Sequence, residues 1–397
     1  MKRANRVGLF DDSQIDLSLL RQRAHNLRWA TVPEGVIPLT AADPDFRCAP
    51  EIADAVARYA VERLFCYGPA QGLASLREVI ARTLGERRGI ETSPELVLPV
   101  DSAAQGLFVV TRFCLEPGDE AIIFDPVDFL FERAVLEARA KPVRLPIDVA
   151  SGAWDLEQLK TLITPRTRLI CVCNPHNPSG KVFTREELLA IGEIAIENDL
   201  WILSDEIWCD IVFAPHAHTS LASLDGAIAA KTFTVYGFSK AFGLAGLRVG
   251  FIVSPDSLSH AGVVEASLVE TTACGVSTLS QVAAQAAFES AWYWVEAFVE
   301  HLMRLRGITV ERLNALRGVA CNVPQGTYLV FPDIRATSMS AQALCDHLLE
   351  KAKVALVPGD PQWFGPRAAG HVRLCFSTSE AVLLEALDRI AGAWPER

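Results

Sequence analysis

The chain has 397 residues, half of them hydrophobic and about a fifth charged, with a net charge of −11. That length is too great for one core and sets two domains as the expectation, and the composition is that of a globular protein. No basic run stands out, so nucleic acid is not an expected partner, and no window approaches roughly 18 uninterrupted apolar residues, so no membrane span is expected.

Met1-Lys2-Arg3-Ala4-Asn5-Arg6 is followed by no apolar stretch, so no signal peptide is expected. The ten cysteines include no C-x-x-C pair and no Cys/His cluster at zinc spacing. They read as reduced, mostly buried thiols of a cytoplasmic protein, with no metal.

Short β-prone runs alternate with helical patterns from about residue 75 to about residue 255. The runs are Leu96–Val100 (weakened by Pro99), Ala121–Phe124, Pro142–Ile147, Arg168–Cys173, Leu200–Leu203, Thr232–Tyr236 and Val249–Val253. Most are continuously apolar, as strands covered on both faces must be. Thr184-Arg185-Glu186-Glu187 is a capping box opening a helix between two of them. Further runs, Thr327–Phe331, Val354–Val357 and Val372–Phe376, follow long helices, and a last helix is expected after Ser379. The expected fold is α/β, with a mostly parallel doubly wound sheet in a large domain spanning 46–285. A smaller α+β domain would combine the N-terminal segment 1–45 with residues 286–397.

Ligands of parallel sheets sit beyond the carboxyl ends of the strands. Ser102, Asp125, Asn174, Asn177, Asp205, Ser239 and Lys240 all follow strand-like runs, so one sheet edge gathers residues far apart in sequence. Lys240 stands among small and apolar residues, Ser239-Lys240-Ala241-Phe242-Gly243-Leu244. A lysine in such a setting loses hydration, its pKa falls, and its neutral amine attacks carbonyls. That is the requirement for a Schiff base to pyridoxal 5′-phosphate. Asp205 would hold the ring nitrogen protonated, and Asn177 could donate to the phenolate oxygen. Ser102 with the backbone amides of Ala103 and Ala104 suits a phosphate at a helix start, where Arg248 adds charge. Arg373 offers a planar fork for a substrate carboxylate. Each residue alone also has a plain structural use: Asp205 and Ser102 as caps, Asn174–Gly180 as a turn, Arg373 as a surface arginine on an edge strand. Their order along the chain is what favours the chemical reading.

The same residues carry a resemblance. Asn174-Pro175-His176-Asn177-Pro178-Ser179-Gly180, Ser204-Asp205-Glu206-Ile207, Ser239-Lys240 through Arg248 and Gly250, and Arg373-Leu374-Cys375-Phe376 resemble, in order, the motifs of the fold-type I pyridoxal-phosphate enzymes of the class I and II aminotransferase group. Asp43-Pro44-Asp45-Phe46 resembles that group's segment near the substrate carboxylate, which places Ala42 in the substrate site. Tyr67, with Gly72 and Leu76-Arg77, resembles the segment whose tyrosine reaches the phosphate of a neighbouring subunit, so the resemblance implies a homodimer with shared sites. Val276–Gln281 is expected to line the neighbour's site too.

The residues around Asp205–Ile211, His218–Leu224 and Pro324–Leu329 are similar to the cystathionine β-lyase-like branch. The resemblance implies an aminotransferase acting on an amino acid and a keto acid. The alternative is a carbon–sulfur β-lyase releasing pyruvate and ammonia. A non-catalytic cofactor-sensing domain of a transcription regulator is a third reading. It is disfavoured because the Asp43 motif leaves no room ahead of it for a winged helix. Four residues depart from the group's pattern: Trp208 for a tyrosine or histidine, Gly237 for a phosphate-binding serine, Asp128 for the aromatic residue that stacks on the ring, and Ala42 for a glycine. Phe129 is the candidate to replace the lost stack.

Overall fold

The computed structural model describes residues 8–273 and 275–395. Seven strands make the main sheet: β1 (Val97–Val100), β2 (Glu120–Asp125), β3 (Lys141–Pro146), β4 (Thr167–Cys173), β5 (Trp201–Asp205), β6 (Thr232–Gly237) and β7 (Gly250–Val253). Their spatial order is β1-β7-β6-β5-β4-β2-β3. The strands from β6 to β3 are parallel, and β7 is antiparallel to both its neighbours. Each expected run is present, shifted by a residue or two at its ends. Pro99 is tolerated because β1 is an edge strand, with only β7 beside it.

The inner strands are largely apolar because alternate residues enter two different cores. Ala121, Ile123, Leu169, Cys171, Cys173 and Leu203 pack on one face. Ile122, Phe124, Ile170, Val172 and Ile202 pack on the other, against Leu188 and Ile191 of the helix Arg185–Glu197. That helix is opened by the expected capping box, with Thr184 accepting from the Glu187 amide and the Glu187 side chain accepting in return.

The helix Ala103–Cys114 lies on the first face, and two glycines set how closely. A Cβ on Gly106 would fall 2.6 Å from Val235 Cγ1. One on Gly250 would fall 2.5 Å from the Tyr236 carbonyl oxygen and 3.0 Å from the Ser102 carbonyl carbon. The start of this helix therefore rests directly on the ends of β6 and β7.

A second, smaller α+β unit takes up both ends of the chain. Val372–Cys375 is the middle strand of an antiparallel three-stranded sheet, between Val357–Pro358 and Leu329–Val330. Ile37–Pro38 pairs in parallel with Val354–Ala355, which ties the N-terminal segment to this unit. Arg28, 1% exposed, forms an ion pair with Asp45 and donates to the Pro38 carbonyl at 3.0 Å, while Trp29 Nε1 donates to Asp45 Oδ1 at 2.9 Å. The last helix, Glu380–Gly392, starts where expected, with Ser379 accepting from the Val382 amide. Among the described residues, no helix is long and apolar enough to cross a membrane.

The contact at Gly250 is between backbones, so no side chain can yield to relieve it. Gly250→Ala is expected to destabilise the protein by roughly 1–3 kcal/mol, as overpacking does, read as a lower thermal midpoint. An unchanged midpoint would show that the helix start does not depend on this close approach.

Candidate active site

A cavity of about 640 Å³ opens beyond the carboxyl ends of the parallel strands. Asp205 ends β5, flanked in register by Cys173 of β4 and Val235 of β6. One of its carboxylate oxygens accepts from the Ile207 amide at 3.1 Å. Burial, reinforced by the charges of Asp128 and Glu206, pushes its carboxyl up to about 7. Among the described residues it has no cationic partner at hydrogen-bonding distance. Behind it, Glu206 is wholly buried and accepts from Ser204 Oγ at 3.0 Å and from Ser220 Oγ at 2.5 Å, with His218 Nε2 at 3.2 Å. Burial works against the charge of Glu206, but His218, Arg88 and Ser220 override it and hold the group below the ordinary carboxylate range.

Ser239 and Lys240 follow β6 and line the same cavity. Lys240 Nζ donates to the Ala42 carbonyl at 2.7 Å and lies 5.4 Å from the centre of the Trp208 ring. Burial lowers its pKa; Asp43 opposes that shift and Arg373 adds to it. Trp208 is itself 2% exposed and meets Tyr328 edge-on at 4.7 Å.

Ser102, Ala103 and Ala104 also line the cavity, at the start of their helix. The Ser102 hydroxyl is committed as that helix's cap, accepting from the Gln105 amide and donating to Asp101 at 2.8 Å. What it leaves free are backbone amides. Arg248, in a left-handed conformation, comes within 3.7 Å of Asp101. Gly237 allows a close approach of the helix start to the sheet, since a Cβ there would sit 3.3 Å from the Cβ of the buried Ala103.

Arg373 lies on the middle strand of the small sheet, not on an edge strand as its surface reading requires. Its guanidinium reaches Asn177 Oδ1 and the Thr40 carbonyl at 3.4 Å each, and its Nε has no partner. Asn177 in turn donates to Asp128 at 2.9 Å. Asp128 caps the next helix at the Leu130 amide, and Phe129 lines the cavity beside Trp363, which it meets edge-on at 5.4 Å.

Two expectations are not met inside this cavity. Asp125 and Asn174 share the sheet edge but do not line it; Asp125 accepts from the Arg367 amide and Asn174 holds the Phe183 amide. Gln281, grouped with Val276 as facing a neighbour, is buried in its own chain and bonds the Leu73 amide and the Val276 carbonyl. Tyr67 lies outside the cavity of its own chain and is 94% exposed. The cavity also has walls that the sequence does not announce: Leu27, Leu356, Trp363 and Phe364. These residues stand in no motif, and only an apolar character shared with half the chain marks them.

An amine of lowered pKa, an uncompensated acid, a helix start and a buried guanidinium around one cavity define an enzyme that activates amino acids on a carbonyl cofactor. Comparison with known proteins agrees. The family model of aminotransferase class I and II matches residues 34–390. The aromatic-amino-acid aminotransferase 2 of Thermococcus litoralis is 32% identical over 369 residues, covering 92% of this chain and 93% of that protein. The arginine–pyruvate transaminase of Pseudomonas aeruginosa is 34% identical over 362 residues, covering 90% of each. Cystalysin of Treponema denticola, whose crystal structure contains a pyridoxal 5′-phosphate cofactor, superposes with a TM-score of 0.88 over 97% of this chain and 98% of its own; at 23% identity that likeness concerns the fold alone. The chain belongs to the class I and II aminotransferase family and is a pyridoxal-phosphate-dependent aminotransferase.

The raised carboxyl of Asp205 has a consequence for the cofactor-free protein. A carboxyl raised by folding keeps a proton that the unfolded chain has already lost, so the folded state loses stability as pH climbs from the ordinary carboxylate range towards about 7. In cofactor-free protein, the thermal midpoint is expected to fall less between about pH 5 and about pH 7.5 for Asp205→Asn than for the parent. Equal declines would contradict an unpaired acid at this position.

Proposed function

We propose that the protein transfers an amino group between an α-amino acid and a keto acid, with Lys240 and Asp205 as its catalytic pair. The observation that carries this reading is that both side chains line one cavity together with Arg373. The residues suit the cofactor. Asp205 lacks the cation that a protonated ring nitrogen provides. The amides of Ala103 and Ala104, with Ser239 and Arg248, suit a phosphate. When bound, the cofactor supplies a carbonyl that condenses with amines and a ring that withdraws electrons.

The chain's own groups do the rest. Arg373 and Asn177 hold the substrate carboxylate, with Ala42 beside them. Lys240, its basicity lowered by burial, would take the proton from the substrate Cα and hold it for return. Asp205 would pair with a protonated ring nitrogen and keep the ring electron-poor. The indole N–H of Trp208 can donate but can neither accept nor shuttle a proton. Proton movement therefore falls to Lys240.

The similarity of the Asp205–Ile211 and His218–Leu224 segments to the cystathionine β-lyase-like branch makes β-elimination the competing outcome on the same residues. Borohydride reduction followed by peptide mass spectrometry is expected to place the cofactor on Lys240. Lys240→Ala is expected to lose activity by ~10²–10⁴-fold, the range a positioned general base contributes. Pyruvate and ammonia formed from a cysteine conjugate without any keto acid would replace transfer by elimination. Amino exchange only on adding a keto acid supports transfer.

We further infer a homodimer in which Tyr67 completes the partner's phosphate site. Val61, Leu64, Phe65 and Tyr67 are 74%, 67%, 61% and 94% exposed, a concentration of large apolar side chains that a second subunit would cover. Tyr67→Phe is expected to weaken cofactor binding by about tenfold, one hydrogen bond to a charged group. Unchanged affinity in a titration would remove Tyr67 from the site.

A further inference from the structure

We propose that the amino acid handled here carries a bulky apolar side chain, held between Leu27 on one wall and Phe129 and Trp363 on the other. This proposal rests on the cofactor and carboxylate assignments above and adds the substrate class.

The first argument is the supply of charge. Of the residues lining the cavity, the lysines and arginines are Lys240, Arg248 and Arg373. Each is already assigned: Lys240 to the cofactor carbonyl, Arg248 to the phosphate end beside Asp101, Arg373 to the α-carboxylate. An acidic substrate brings a second carboxylate, and none of these is left to meet it. Val276–Gln281, the segment first expected to reach a neighbour's cavity, contains no lysine or arginine. A carboxylate desolvated without a partner is strongly disfavoured. A cationic side chain fares little better. Apart from Asp205, the lining acid is Asp128, and its oxygens are engaged by the Leu130 amide and the Asn177 side chain.

The second argument is where the apolar wall begins. The Arg373 guanidinium carbon lies 5.0 Å from the centre of the Phe364 ring. A substrate anchored by its carboxylate on Arg373 therefore extends its side chain along an aromatic surface that Trp363 continues. The short helix Pro361–Phe364 carrying both rings is fixed at each end. Asp360 caps it at the Gln362 amide, and the Phe364 carbonyl accepts from the Val127 amide at 2.9 Å, just ahead of Phe129.

The third argument is Leu27. It is 55% exposed and sits at φ 50, a backbone conformation that L side chains rarely adopt. Its neighbour Arg28 is buried on Asp45, and the Leu27 carbonyl accepts from Thr40 Oγ. The segment is thus pinned so that an apolar side chain is presented at the cavity wall, where an apolar ligand gives it something to bury against.

The test uses holoenzyme and a panel of amino donors (phenylalanine, leucine, alanine, aspartate and arginine) with pyruvate or 2-oxoglutarate as acceptor. Phenylalanine or leucine is expected to exceed aspartate and arginine in kcat/KM by ~10²-fold, the discrimination a site gains when a mismatched group is left unpaired. Trp363→Ala is expected to lower kcat/KM for phenylalanine by about 10–100-fold while alanine changes little, with the cofactor still bound on Lys240. Leu27→Ala, at an exposed position, gives the same split if the tryptophan variant folds poorly. Aspartate or arginine as the best donor overturns the proposal, and so does an equal loss for phenylalanine and alanine in both variants. Failure to find the cofactor on Lys240 is a different result: it removes the cofactor assignment itself, and this proposal with it.

Discussion

A carboxylate at the end of β5, with no cation at hydrogen-bonding distance among the described residues, organises this protein. Asp205 is buried, its carboxyl is raised by that burial and by two neighbouring acids, and the Ile207 amide and the more distant charge of Lys240 offset this only in part. Burying a charge without a partner is costly. A folded chain can carry such a group where a ligand supplies the missing partner. The ring nitrogen of pyridoxal phosphate is a partner of the right sign, and its proton is what makes the ring an electron sink. The cost of burying this acid and the catalytic power it gives the cofactor have one origin.

The scaffold brings the amine to that acid. Parallel strands with continuous apolar sequences bury both faces, so their carboxyl ends form a rigid row on which Asp205 and the turn to Lys240 occupy neighbouring positions. Lys240 is then held from the other direction. The Ala42 carbonyl accepts from Lys240 Nζ and also from the Tyr328 hydroxyl at 3.2 Å. Ala42 is placed there by a segment that Arg28 and Asp45 pin to the small sheet. The N-terminal residues thus serve the chemistry although no strand of the main sheet includes them.

Much of this is legible in the sequence, for identifiable reasons. The seven strands stand out because burial on two faces forces unbroken apolar runs, and Asp205 and Lys240 stand out because each interrupts the pattern directly after such a run. Arg373 was recognisable by type, but its place on a middle strand depends on pairing between residues 329–330 and 372–375, which local sequence does not encode. Leu27 and Trp363 are harder still. They meet at one cavity because Ile37 pairs with Val354, a contact spanning most of the chain, and an apolar residue has no chemical mark that separates pocket wall from core. The Ser102 hydroxyl shows the converse. Its type suits a phosphate, yet a helix start also needs a cap, and the cap takes the hydroxyl.

Asp128 is the departure with the widest reach. An aromatic ring at that place would contribute stacking and no charge. The carboxylate contributes charge and no stacking. Its charge raises Asp205, would itself favour a cationic over a neutral ring nitrogen, and supports the protonated forms of Lys240 and Arg373 against burial. Through Asn177 it forms a polar chain, Asp128 to Asn177 to Arg373, that occupies the carboxylate anchor before any substrate arrives. An incoming carboxylate thus enters a site whose guanidinium already has counter-charge nearby. Each anion added to this cavity weakens its hold on the next. An amino acid with one carboxylate and an apolar remainder places the least further charge there, so the electrostatics of Asp128 and the apolar walls of Leu27 and Trp363 favour the same kind of substrate.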